Sequence, residues 1–133
     1  MPYMYETIRD FRSLIVYQRA KELANDICKL SDRFPPSERY ESTSQIRRAA
    51  TSVAANIAEC NSQIYPSKEL TFISTAIGSL TETRYWVEFA YDQDFIPQSG
   101  VLASGCFVHR DYQDAVRIHE ACQANHRRWR AVC

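Results

Sequence analysis

Three side chains near the C-terminus have the types and spacing of metal ligands. His119, Cys122 and His126 stand at i, i+3 and i+7, which places them on one side of a helix. A zinc site takes four ligands, or three plus water, drawn from more than one element. No second half is visible in the chain, so a half-buried polar stripe is the preferred reading. Arg47-Arg48 is the sharpest charged pair, and two guanidinium forks side by side could clamp phosphate. The competing reading pairs Arg48 with a carboxylate such as Glu59 of a neighbouring chain and leaves Arg47 solvated. Arg127, Arg128 and Arg130 enclose Trp129, giving cations for phosphate and a ring for base stacking. Trp129 also lies on the core-facing line of its helix, so packing competes with stacking. Gln45, Ser52, Asn56 and Glu59, with Arg48 alongside, make a polar line along one helix. That line is a contact surface, either for a neighbouring helix or for a neighbouring subunit. Arg84 falls in an otherwise apolar line and, if buried, needs a carboxylate, expected across a subunit boundary.

The usual enzyme signatures fail. There is no G-x-G-x-x-G, G-x-x-x-x-G-K-[ST], G-x-S-x-G or H-E-x-x-H. No Glu is followed three residues later by His, as di-iron helical bundles require. No catalysis, cofactor or metal is therefore expected. Lys plus Arg equals Asp plus Glu at 16 each, which weakens any reading that rests on bulk positive charge. The charge is nonetheless uneven: residues 61–106 hold two basic and five acidic side chains, residues 107–133 five and three. The five cysteines are odd in number and widely spaced, which suits thiols in a reducing cytoplasm better than a disulfide framework. MPYMYETIRDF has no apolar signal-type run. The longest uncharged stretch, Phe95 to Val108, is 14 residues and broken by Pro97 and two glycines, too short to cross a bilayer.

The elements that must position these residues are helical. With 133 residues, three Gly and five Pro, the chain suits a single domain, 1–133, without the turns an all-β fold needs. The central stretch Thr43 to Cys60 has neither Gly nor Pro. Ile46, Ala50, Val53 and Ile57 repeat along one face of it, with alanines between. Val16, Ala20, Leu23, Ile27, Leu30 and Phe34 make a similar line before Pro35-Pro36. Leu70, Ile73, Ile77, Leu80, Val87 and Tyr91 make a third, interrupted by Arg84. The spacing predicts helices over about 11–34, 38–60, 68–92 and 110–131. Thr43 or Ser44 is expected to cap the second, and Ser67 the third. Gly78 is expected to admit a close neighbour, Ala54 or Ala55. The segment 97–107, with Gly100 and Gly105, reads as a break.

The runs FRSLIVYQRAKELANDICKLSDRFP, ERYESTSQIRRAATSVAANIAEC and SKELTFISTAIGSLTETRYWVEFA resemble a known four-helix-bundle family. It includes the bacterial proteins encoded within 23S rRNA intervening sequences. The accessory variability protein of diversity-generating retroelements is a relative. The likeness spans roughly Phe11 to Ile96. Ser42 stands where the family has Leu, and Cys60 where it has Gly. The resemblance implies an all-α, antiparallel up-down-up-down four-helix bundle that forms a homo-oligomer, a ring of five, with no catalysis. Two functions are expected from residues and resemblance together. The first is a non-enzymatic, self-assembling binding or scaffold module in the cytoplasm. Its interface residues would be Gln45, Arg48, Ser52, Asn56, Glu59 and Arg84. The alternative is an accessory protein that binds RNA or DNA through Arg47, Arg48, Arg127, Arg128 and Arg130.

Overall fold

The computed structural model describes residues 10–103 and, further on, residues 113, 114, 116, 117 and 120. Among these, all regular structure is helical. α1 spans Ile15–Ser31, α2 Ser42–Asn61 and α3 Pro66–Asp92. A fourth helical segment starts at residue 98, and the described positions through 120 are helical. The all-α and four-helix expectations hold.

The boundaries differ from the expected ones where local chemistry offers the backbone another partner. Asp10 accepts a hydrogen bond from the Arg12 backbone N–H (3.0 Å) and caps a 3-10 turn at Phe11–Ser13. Leu14 is then extended (ψ 125), so the first long helix begins at Ile15 rather than at 11. α1 closes at Ser31, and a turn carries Phe34 into the core at 6% exposure. Neither Thr43 nor Ser44 caps α2. Glu38, in the 3-10 turn Pro36–Glu38, reaches forward instead and accepts from Ser42 Oγ at 2.6 Å and from the Ser42 backbone N–H at 3.4 Å. α3 starts at Pro66, with its fixed φ in the first helical position, so the expected Ser67 cap already lies inside the helix. Its end is a Schellman motif. Asp94 sits at φ 59, its N–H donates to Tyr91 O, and the Phe95 N–H donates to Ala90 O at 2.8 Å.

Each helix buries one line of side chains. Leu23, Ile27, Ile46, Val53, Ile73 and Leu80 are at most 1% exposed and form the centre. On α2 the buried line is Ile46, Ala49, Ala50, Val53, Ile57 and Cys60, as the spacing predicts. The polar contacts give the directions. Ser52 Oγ meets Ser79 Oγ at 2.9 Å, and Cys60 Sγ meets Glu69 O at 3.5 Å, so α3 runs back along α2. Arg47, near the start of α2, meets Ser31 at the end of α1. The fourth segment runs against α1: Gly100 lies on Leu30, and Arg19 is ion-paired with Asp114.

Two glycines behave differently from expectation. Gly100 does not break the chain at 97–107. The helix starts straight after Pro97, and a Cβ at Gly100 would press Leu30 Cδ1 at 3.1 Å, so this glycine permits a close approach. Gly78 has no such neighbour. A Cβ there meets nothing within 4 Å, so Ala54 and Ala55 do not pack on it. Gly78→Ala is therefore expected to raise stability by about 1 kcal/mol, the helix-interior cost of glycine, read as a higher urea midpoint.

Candidate functional site

Arg47 is 41% exposed but bonded within the chain. Its Nε donates to Ser31 Oγ at 2.7 Å, and its Nη2 donates to Cys28 O at 3.4 Å and to Asp32 Oδ1 at 2.6 Å. Ser31 is 2% exposed and its hydroxyl also donates to Cys28 O. The C-terminal carbonyls of a helix carry partial negative charge and lack intrahelical donors. Arg47 supplies a cation and donors to that end of α1, and so acts as a structural clasp between α1 and α2.

Arg48 points away from this clasp. It is exposed and has no side-chain partner among the described residues, and the same holds for Glu59 on the same helix. Between them, Thr51 and Ala55 are also exposed. The rest of the polar line turns inward. Ser52 bonds Ser79 of α3, and Asn56 Nδ2 donates to Ser52 O (2.7 Å) and Ser52 Oγ (3.0 Å). The line thus divides: Ser52 and Asn56 pack within one chain, Gln45 is half-buried, and Arg48 and Glu59 face outward.

Arg84 does not occupy the apolar line of α3. Thr83 does, at 0% exposure, with its hydroxyl donating to Ser79 O at 2.8 Å. Ile73, Leu80 and Val87 are buried as expected, but Ala76, Thr83 and Ala90 are buried where Ile77, Arg84 and Tyr91 were expected, and Ser79 is buried with them. Arg84 lies outside and pairs with Glu88 in the next turn at 3.1 Å. No carboxylate from another subunit is required.

Between residues 71 and 81 the outer face of α3 carries Thr71, Ser74, Thr75, Gly78 and Thr81, all exposed and none charged, with the exposed charges Lys68 before this stretch and Glu82, Arg84 and Glu88 after it. Sequence reasoning also missed the exposed apolar side chains in the links. Tyr40 is 84% exposed before α2, and Ile64 and Tyr65 are 88% and 67% exposed after it. Their signal was available: large apolar residues beside turn residues, outside any helical repeat. An open groove of about 400 Å³ separates α1 from residues 98–103, lined by Asp26, Lys29, Arg33, Ser99 and Gly100. Asp26 and Lys29 are already paired across 4.0 Å, which leaves Arg33 as the remaining charge of the groove.

Among the described residues, no three His, Cys, Asp or Glu side chains group as metal ligands. His119, Cys122 and His126 lie outside the described residues, as do Arg127, Arg128 and Arg130. No helix among the described residues is long and apolar enough to cross a membrane.

Residues 12–103, more than two-thirds of the chain, match the family described as 23S rRNA-intervening sequence protein. The chain belongs to this family. A protein of unknown function from the S23 ribosomal protein family of Bacteroides thetaiotaomicron VPI-5482, with a crystal structure at 1.70 Å resolution, has the same fold. Its TM-score is 0.72 at 22% identity, over 79% of this chain and 98% of that one. No curated protein matches the chain. The structure accounts for the two positions where the resemblance leads one to expect other residues in an intervening-sequence protein. Ser42, in place of Leu, is 2% exposed and gives its hydroxyl to Glu38, so the start of α2 exchanges packing for a cap. Cys60, in place of Gly, is buried, and the helix runs on through Asn61 to Ser62 in an ordinary right-handed conformation (φ −90). No glycine conformation is needed there.

Proposed function

We propose that this intervening-sequence protein is a non-enzymatic helical bundle that assembles with copies of itself and works as a cytoplasmic binding scaffold. The uncharged outer face of α3 carries this reading. The exposed face of a helix in a solitary bundle normally bears charge, and the centres of protein interfaces are depleted of it. From Thr71 to Thr81 the solvent side of α3 offers only hydroxyls and a bare glycine. The resemblance to ring-forming relatives supports closure into five. The thiols of Cys28 and Cys60 agree with a reducing compartment.

The test is the native mass, by light scattering on a sizing column, for the parent and for Gly78→Arg. A Cβ at this exposed position meets nothing within 4 Å beyond its own helix, which leaves an arginine free to extend into solvent. The expected result is a multimeric parent and a lower mass for the variant at unchanged helical content. A monomeric parent, or a variant that keeps the parental mass, overturns the reading. The second reading, RNA or DNA binding, now rests on Arg48 and the Arg127–Arg130 tail, because Arg47 is committed to α1. Copies around a ring would add modest basic sites together. Its signature is retention of mixed-sequence RNA that falls steeply with salt.

A further inference from the structure

The outward side of α2 repeats in reverse about its own middle. Arg48 and Glu59 are exposed, opposite in charge and unpaired among the described residues. The small exposed residues Thr51 and Ala55 lie between them. Ser44 and Ser62 are the exposed residues beyond each charge. Tyr40 precedes the helix, and Ile64 and Tyr65 follow it, all among the most exposed large apolar side chains. Every one of these pairs is centred close to residue 53. Read forwards along these residues, the surface is apolar, positive, small, negative, apolar, and Glu41 is the one other exposed charge between residues 40 and 65. Read backwards, each position meets its complement.

Such a pattern fits one occupant, the same surface of a second copy. We infer that two copies pair through α2, antiparallel, about a two-fold axis near Thr51 and Ala55. Arg48 of each copy then lies against the partner's Glu59, and Tyr40 comes level with the partner's Ile64 and Tyr65. The arithmetic of a helix permits it. Arg48 and Glu59 are about 16 Å apart along α2 at 1.5 Å per residue, so one antiparallel alignment matches both charge pairs at once. Thr51 and Ala55 at the crossing let the two backbones approach, and isologous pairing is the commonest form of self-association. The small centre and the apolar ends supply burial. The charges set direction and register, since a parallel alignment would place like charges together.

This contact is separate from the α3 face and rests on the self-assembly reading. A ring closed through α3 and doubled through α2 holds an even number of chains, ten for a ring of five. The experiment measures native mass by light scattering for five proteins: the parent, Arg48→Glu, Glu59→Arg, the double variant Arg48→Glu/Glu59→Arg, and Gly78→Arg. The pairing predicts that each single reversal halves the parental mass, because both charge contacts become repulsive. It predicts that the double reversal restores the mass, because the exchanged charges are again complementary. Gly78→Arg, with the ring contact removed, should run as a pair. All three positions are exposed, and helical content by circular dichroism checks that each variant folds. Single reversals with the parental mass, or a double reversal that stays halved, overturn the pairing. A monomeric parent overturns the self-assembly reading as well. A parent that Gly78→Arg reduces to single chains, with Arg48→Glu indistinguishable from the parent, overturns the pairing alone.

Discussion

Thr83→Arg should abolish the cooperative unfolding transition, while Arg84→Ala, one residue along, should leave stability within about 0.5 kcal/mol of the parent. Thr83 is fully buried between the layers of the bundle, and its hydroxyl is satisfied within its own helix by Ser79 O. An arginine there must be taken out of water with no carboxylate to receive it, at a penalty of several kcal/mol. Its extra volume in a packed core costs about 1–3 kcal/mol more. Against a total of roughly 5–15 kcal/mol for a domain, that is most or all of the stability. Arg84, by contrast, is 70% exposed and its pair with Glu88 is exposed too. Such pairs are worth a few tenths of a kcal/mol, and alanine has the better helix propensity. Urea unfolding followed by circular dichroism separates the two outcomes, and equal effects at both positions would show that the packing phase of α3 is misassigned. Protein concentration must be held constant, because self-association couples to apparent stability.

Arg47→Ala should cost about 2 kcal/mol, the scale of hydrogen bonds to a charged group, although more than a third of the side chain is exposed. The loss falls mainly on Ser31, whose buried hydroxyl gives up a 2.7 Å partner, and on the α1 carbonyl of Cys28. Asp32 contributes little, because its side chain is 73% exposed and an exposed ion pair is worth at most about 1 kcal/mol. Asp32→Asn should therefore barely move the urea midpoint, and Arg47→Lys should recover only part of the loss, since an ammonium cannot serve three acceptors through a planar fork. If Asp32→Asn matches Arg47→Ala, the pair on the surface and not the clasp on α1 carries the stability.

The buried line of α2 was legible because alanines and polar residues flank it, so only one phase hides the isoleucines. In α3, apolar residues flank the buried line on both sides: Phe72, Ile77, Trp86 and Phe89 lie beside it, half-buried. Two phases then bury similar hydrophobicity, and threonine decides between them. A threonine counts as polar in a pattern yet buries well when its hydroxyl bonds the carbonyl four residues back. The helix starts failed for a related reason. Capping rules look for the nearest Ser or Thr, whereas α2 is capped by Glu38 from a separate turn. Nor could spacing separate Arg47 from Arg48. Adjacent helical residues point about 100° apart, which is the difference between the end of α1 and open solvent. Gly100 read as a break because a sequence shows that a glycine is present but not what lies against it.

The links between helices are short, and this bears on how fast the chain finds its shape. α1 reaches α2 across ten residues, Asp32 to Glu41, which hold one 3-10 turn, and α2 reaches α3 across four, from Ser62 to Tyr65. Neighbours in the bundle are thus neighbours in the chain, and most contacts close small loops, the low contact order that goes with folding in microseconds to milliseconds. Among the longer-range contacts is the Phe34–Phe95 ring pair, 5.5 Å between centroids, which joins the first link to the last. It can form only after the chain has reversed at both intervening turns, so it locks a bundle that is already assembled and slows its opening more than it speeds its closing.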